Sequence, residues 1–147
     1  MDVKSWLANQ FQMKDLGEAS YVLGIQIIRD RKKRLLAMSQ ASYIDKIHVC
    51  FGMQNFKKGN LPYRHGIHLS KEQSPKASQA VEEMRHIPYA SAVSSVMYAM
   101  LCTRPDIRFA VEVVSRIQPN PGLDHWVAVK HIFKYLKRTW LICLQRP

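Results

Sequence analysis

The stretch that decides the fold is residues 91–106, which read SAVSSVMYAMLCTRPD. The run up to Cys102 is apolar and carries no charge, and it has no polar face beyond its serines. We therefore expect a helix that is buried on nearly all sides. A second helix is predicted to follow directly, because Thr103 can cap it, Pro105 suits its first turn and Asp106 lies three residues after the cap.

Helical patterns continue towards the C-terminus from this junction. Apolar spacing predicts a helix over residues 104–117, and the sequence PNPG at residues 119–122 then breaks the periodicity. Asp124 is expected to cap a last helix, which has an apolar face and a separate face of cations.

The N-terminal part mixes helix and strand. A helix is predicted over residues 2–12, and alternating side chains predict a strand over residues 19–29, with a bulge or a close backbone approach at Gly24. The return strand is expected over residues 35–38, followed by a helix that Ser39 caps. Residues 53–75 contain loop signals, and a short polar helix is expected before Pro88.

These patterns predict an α+β fold in three parts. Residues 1–52 form a β-hairpin with flanking helices, residues 53–88 form a loop-rich connection, and residues 89–147 form a mainly helical unit. The chain of 147 residues is long enough to bury a core.

Charge is the least ordinary property of the composition. A formal net charge of +11 points to an acidic partner, with nucleic acid as the first candidate and an anionic membrane surface as the second. A merely basic globular domain is the plain alternative. No stretch approaches the roughly 18 apolar residues of a membrane span, so no membrane partner is expected. The three separated cysteines are expected to be reduced core thiols of an intracellular protein, in cytoplasm or nucleus.

No self-contained active site is visible in the sequence. Two-metal catalysis needs paired carboxylates to hold the ions, and neither Asp-Asp nor Asp-x-Asp occurs. Glu82-Glu83 lies in a polar stretch and is expected to be a solvated face. We therefore assign no catalytic residue, no metal ligand and no cofactor to this chain.

Two basic elements are the candidate nucleic-acid contacts. The first is the predicted hairpin tip, with Arg29, Arg31, Lys32, Lys33 and Arg34. The second is the cation row of the last helix, with Lys130, Lys134, Lys137 and Arg138. Such a row can follow a phosphate backbone, and Tyr135 and Trp140 can add base stacking. The alternative is a solvated amphipathic helix whose cations only maintain solubility.

The order of several short segments resembles the reverse transcriptase region of copia-type long-terminal-repeat retrotransposon Pol polyproteins. The resemblance covers essentially the whole chain, and its segments are FQMKDLG (11–17), LGI (23–25), the region 36–44 with SQ and YI, PYASAV (88–93), MYA (97–99), TRPDI (103–107), HW (125–126), AVK (128–130) and KYLK (134–137).

The resemblance implies a position within the polymerase. It places this segment after the catalytic Tyr-x-Asp-Asp motif, to which Mg²⁺ would belong, and before the ribonuclease H domain. The hairpin half would be the end of the palm, the helical half would be thumb-like and connecting, and the strand Leu23-Gly24-Ile25 would resemble the primer grip. Ser94 departs from the family, which usually has a glycine there in a tight helix contact.

The expected function is that of a fragment without polymerase activity of its own, which at most binds an RNA–DNA or DNA duplex. One alternative is part of an active RNA-directed DNA polymerase whose Asp-Asp motif lies upstream in the polyprotein. Another is a host-retained fragment that binds a protein partner, or the remainder of the polyprotein, through an exposed palm edge.

Overall fold

A computed structural model describes residues 3–139 and the backbone of residues 141–145. Its α-helices are α1 (Val3–Gln10), α2 (Ala41–Cys50), α3 (Ser78–Arg85), α4 (Tyr89–Cys102), α5 (Arg108–Ser115) and α6 (Leu123–Arg138). Its strands are β1 (Tyr21–Val22), β2 (Ile25–Asp30), β3 (Leu35–Ser39) and β4 (Leu141–Gln145). Short 3₁₀ turns occupy Lys71–Gln73 and Pro105–Ile107. The α+β class is confirmed.

The four strands form one antiparallel sheet in the order β1-β2-β3-β4. The predicted hairpin is present, with Asp30 opposite Leu35 and four turn residues between them. β4 follows α6 in the chain and pairs with β3, so that Ser39 lies opposite Leu141. The sheet therefore joins the N-terminal hairpin to the segment that follows the last helix.

The predicted single strand over residues 19–29 is wrong. Leu23 and Gly24 both have positive φ, at 51° and 77°, and they form a two-residue turn between β1 and β2. Two consecutive residues at positive φ are the pattern of a tight hairpin turn, which glycine accepts and leucine does not favour. Gly24 is thus a turn residue and not a strand bulge.

The core brings α2 together with α4, α5 and α6. It contains Ile44, Ile47, Met53, Tyr89, Ala92, Val93, Val96, Ala99, Ile107, Ala110, Val111, Val114, Ala128, Val129, Ile132, Phe133 and Leu136. Polar groups reinforce this packing, since the His48 ring bridges Ile44 O at 2.6 Å and Phe133 O at 2.9 Å. The helices therefore form the framework on which the candidate interface is mounted.

The expectation that α4 is buried on nearly all sides is wrong. Its buried side chains lie along one stripe, whereas Leu101 is 74% exposed and Tyr98 is 41% exposed. Ser94 is also exposed. The apolar run thus covers the core with one face and presents the other face to solvent. The expectation of core thiols is wrong for Cys50, which is an exposed free thiol, and Cys102 is a free thiol that is only partly buried. The side chain of Cys143 lies outside the described residues.

Two predicted caps are also wrong. The N-cap of the Pro105–Ile107 turn is Arg104, and the hydroxyl of Thr103 instead donates to Gln40 Oε1 at 2.6 Å. The N-cap of α6 is Gly122, whose N–H donates to His125 Nδ1 at 2.7 Å. Thr103 therefore bonds to a distant side chain instead of capping the turn, and His125 within α6 takes the capping role that local pattern assigned to Asp124.

Candidate nucleic-acid interface

The basic hairpin tip is exposed, as its sequence suggests. Asp30 Oδ1 accepts hydrogen bonds from the backbone N–H groups of Lys32 and Lys33, each at 3.0 Å, and so shapes the turn. Arg31 forms an ion pair with Glu18, which lowers the pKa of that carboxyl through the hydrogen bond and through the charge. The remaining tip cations, Arg29, Lys32, Lys33 and Arg34, have exposed side chains.

The cation row of α6 is partly engaged by the protein itself. Lys137 Nζ donates to the backbone carbonyls of Gln54 and Phe56, the latter at 3.2 Å, and Arg138 donates to Asn60 Oδ1. Lys134 Nζ lies 5.3 Å from the centre of the Phe56 ring. These contacts fasten the loop of residues 53–60 to α6, a role that the sequence analysis did not assign to them.

The remaining cation of the row and the expected stacking residue Tyr135 also have neighbours within the protein. Lys130 Nζ lies 6.0 Å from the centre of the Trp126 ring. Tyr135 donates its hydroxyl to Asp106 Oδ2 at 2.8 Å and faces the Arg104 guanidinium at 5.3 Å. The Tyr135 ring is therefore occupied within the protein, while Trp140, the other expected stacking residue, lies outside the described residues.

The primer-grip-like residues lie at the β1–β2 turn. Leu23 is 85% exposed, and its carbonyl oxygen is 3.5 Å from the Tyr98 hydroxyl of α4. Gly24 has open space where a side chain would start. Ile25 begins β2 and is partly buried. The segment thus presents an accessible backbone turn.

A basic cleft lies between the loop of residues 57–64 and α6. Its volume is about 310 Å³, and its lining residues are Lys57, Lys58, Gly59, Asn60, Leu61, Arg64, His131 and Lys134. Only Lys134 belonged to the predicted sites. The Lys57-Lys58 pair followed by Gly59 was the sequence signal that could have pointed to this cleft. It gains meaning only because the loop folds back onto α6.

Gly59 determines how closely the cleft loop approaches α6. Its N–H donates to the Lys134 carbonyl at 2.8 Å. A Cβ at this position would lie 3.0 Å from Lys134 Cβ and 3.2 Å from the Tyr135 backbone nitrogen, which is tighter than most such contacts. Glycine therefore lets the loop backbone rest directly on the helix.

Metal and membrane features are limited in the part of the chain that the structure describes. No three His, Cys, Asp or Glu side chains in residues 3–139 converge as metal ligands would. No described helix is long and apolar enough to cross a membrane.

Sequence comparison links the chain to transposon polyproteins. It is 46% identical over 142 residues to the retrovirus-related Pol polyprotein from transposon TNT 1-94 of Nicotiana tabacum, covering 97% of this chain and 11% of that protein. It is 33% identical to the mitochondrial protein AtMg00810 of Arabidopsis thaliana, covering 90% of this chain and 51% of that protein. With the Pol polyprotein from transposon RE1 of the same plant it shares 32% identity, over 90% of this chain and 8% of that protein.

Two further comparisons found no counterpart. No protein-family model matches the chain, and no solved structure matches it. The chain spans about half the length of the mitochondrial relative and a small fraction of the polyproteins. Over nearly its whole length, this chain is homologous to a segment of retrovirus-related Pol polyproteins from transposons.

Proposed function

We propose that this chain is a segment of a copia-type reverse transcriptase that contacts the template–primer duplex and carries no polymerase active site of its own. The observation that carries the proposal is the basic cleft mounted on α6, together with the homology to transposon Pol polyproteins. Cations on a helical framework suit the phosphate backbone of a duplex, which is bound without regard to sequence.

The catalytic part of the proposal rests on the residue types present. Two-metal phosphoryl transfer needs clustered carboxylates, and the sequence has no Asp-Asp or Asp-x-Asp. Several of the described carboxylates are instead used in ion pairs, such as Asp106 with Arg104 and Glu112 with Arg116. We assign the chemistry, and the Mg²⁺ that supports it, to another part of the polyprotein.

Two surfaces would share the contact with the duplex. The cleft cations would hold one stretch of backbone, and the exposed tip cations Lys32 and Lys33 would hold another. The turn at Leu23-Gly24 offers accessible backbone, which suits the primer-grip role that the resemblance implies.

The experiment measures duplex binding and primer extension with the same preparation of the chain. We expect the chain to bind an RNA–DNA or DNA duplex without sequence preference and to extend no primer in the presence of Mg²⁺. Mg²⁺-dependent synthesis by the purified chain would refute the assignment of the active site to another part. Absence of duplex binding at low salt would refute the nucleic-acid role.

A protein-binding role is the second candidate, and a specific observation favours it. Large apolar side chains are exposed along the N-terminal segment: Val3 68%, Trp6 46%, Phe11 60%, Met13 57% and Leu16 86%. The remainder of a Pol polyprotein is the partner that the homology suggests for this surface. A chain that forms a complex with the preceding polyprotein segment, and binds no duplex, would favour this role.

A further inference from the structure

The basic cleft concentrates positive charge without any compensating carboxylate. None of its lining residues is acidic. Among the described residues, Lys57, Lys58, Arg64 and Lys134 take part in no ion pair. Some arginines elsewhere in the fold do have acidic partners, for example Arg31 with Glu18 and Arg116 with Glu112. The cleft therefore brings four cations without an acidic partner together around one cavity.

The cleft is also held in shape by contacts that leave its charge intact. The Gly59 N–H bond to Lys134 O, the Arg138 bond to Asn60 and the Lys137 bonds to loop carbonyls all tie the loop to α6. None of these partners is a carboxylate. A loop fixed in this way loses little conformational freedom when a ligand binds, so more of the interaction energy remains as affinity.

The pKa of His131 reflects its burial and the positive charge around the cleft. Burial lowers its pKa, and the positive charges of Arg64, Lys134 and Lys130 lower it further. No described acidic group acts on it in the opposite direction. Because clefts with low-dielectric walls focus the field of like charges, an anion entering this one would meet a strong attractive potential.

We propose that the basic cleft is a binding site for a phosphate group, with Lys58 and Arg64 as its principal ligands and His131 as an additional donor. A guanidinium pairs with two phosphate oxygens at once, and lysine supplies a further charge-assisted hydrogen bond. The volume of about 310 Å³ accommodates such a group with water around it. This site deepens the proposed function and rests on it where the bound phosphate belongs to a nucleic acid, and a free phosphoanion satisfies the same chemistry.

The test uses pyrophosphate as the probe and the His131 ring as the reporter. An NMR titration follows the His131 Cε1–H resonance of the full chain with pH, with and without pyrophosphate at constant ionic strength. Bound anion favours the imidazolium, so we expect the His131 pKa to rise on addition of pyrophosphate. An unchanged titration curve would overturn the site.

Matched variants separate the cleft from net charge. We expect the double variant Lys58→Gln, Arg64→Gln to weaken pyrophosphate binding by about tenfold or more, since it removes two charge-assisted hydrogen-bonding groups. The control Lys46→Gln, Lys76→Gln removes the same charge at exposed positions outside the cleft, and we expect a change below about twofold. Equal weakening in both variants would overturn the proposal. The single variant Arg64→Gln checks that weaker binding does not come from misfolding. Because the Arg64 side chain is exposed, its replacement should leave the fold intact.

A second arm distinguishes the sources of the phosphate. The same variants are compared for binding to a short DNA duplex. Duplex binding that weakens in the cleft variant alone assigns the cleft to nucleic-acid phosphate. Pyrophosphate binding in a chain that binds no duplex supports a free phosphoanion site and refutes the proposed function. Duplex binding that is equal in both variants, without a pyrophosphate response, leaves the proposed function standing and overturns the cleft.

Discussion

Arg104 and Thr139 lie 35 residues apart in the chain, yet the buried Arg104 guanidinium donates to Thr139 Oγ1 at 2.7 Å and also to the Thr139 carbonyl. The same guanidinium pairs with Asp106, with bonds of 2.9 Å and 2.7 Å to the two carboxylate oxygens. The Thr-Arg-Pro-Asp segment thus fixes the end of α4 to the end of α6. The segment thereby holds α4 against α6, the helix that lines the basic cleft.

Replacement of Arg104 should destabilise the protein strongly. Arg104→Ala removes the Arg104 donors from the Thr139 oxygens and from Asp106, which keeps the Tyr135 hydroxyl, and opens a cavity, which we expect to cost about 2–4 kcal/mol. The measurement is the free energy of unfolding from urea denaturation. Arg116→Ala is the matched control, because its partner Glu112 is on the helix surface and such pairs contribute below about 1 kcal/mol. Equal losses in the two variants would contradict this role of Arg104.

Asp106 should make stability depend on acid pH. Burial raises its pKa, but the hydrogen bonds from Arg104 and Tyr135 and the charge of Arg104 outweigh this effect, so the pKa lies below its ordinary value of 3.8. A carboxyl with a lowered pKa in the folded state contributes stability above the unfolded pKa, and loses that contribution as the pH falls through the folded pKa.

The corresponding measurement is the free energy of unfolding of wild type and Asp106→Asn across acid pH. We expect the wild type to be more stable than Asp106→Asn at about pH 7, and the difference to shrink below about pH 4. Taking the difference between the two proteins removes the contributions of Asp15 and Glu18, whose pKa values are also lowered. A difference that does not change with pH would contradict the ion pair.

Two glycines should differ in their tolerance of a methyl group. A Cβ at Gly122 would lie 2.4 Å from the Gln73 carbonyl oxygen, whereas one at Gly59 would meet its nearest atom at 3.0 Å. We expect Gly122→Ala to cost more free energy of unfolding than Gly59→Ala, which needs a shift of only a few tenths of an ångström. Gly59→Ala should nevertheless weaken pyrophosphate binding, since it pushes the cleft loop away from α6. The reverse order of stabilities would contradict the observed packing.

The β1–β2 turn should be improved by a residue that accepts positive φ. Leu23 has a φ of 51° and an exposed side chain, so Leu23→Asn should stabilise the protein by roughly 0.5–1 kcal/mol. Leu16→Asn is a suitable control, because Leu16 is 86% exposed without positive φ. Thermal unfolding of both variants measures the effect. If Leu23→Asn is no more stable than Leu16→Asn, the positive φ assigned to Leu23 in the turn is contradicted.

The sequence predicted the elements better than their environments. The hairpin with its basic tip, the break at residues 119–122 and the helix that carries Lys130 and Lys134 follow from local patterns, and all are present. The exposed face of α4 did not follow, because an apolar side chain such as Leu101 shows no local signal of where its neighbours end. Burial depends on tertiary packing, so an apolar sequence pattern alone does not determine which side chains of a helix are buried.

The candidate site shows the same division. Lys134, Lys137 and Arg138 were found from helical spacing, but their contacts with loop residues 53–60 depend on a fold-back across more than 70 residues of chain. Arg64 and His131 were missed because they meet only when that loop lies on α6. Local sequence predicted a capping role for Thr103. Its actual partner, Gln40, lies 63 residues away in the chain, where local pattern gives no signal.

The most direct test of the account is the salt dependence of duplex affinity for the unmodified chain. If the cleft and its neighbouring cations neutralise roughly four phosphates of a DNA duplex, log K should fall linearly with log salt concentration, with a slope of about −3 to −4. A measured slope near zero, or no binding at low salt, would contradict the claim that this chain contacts nucleic acid through its uncompensated cations.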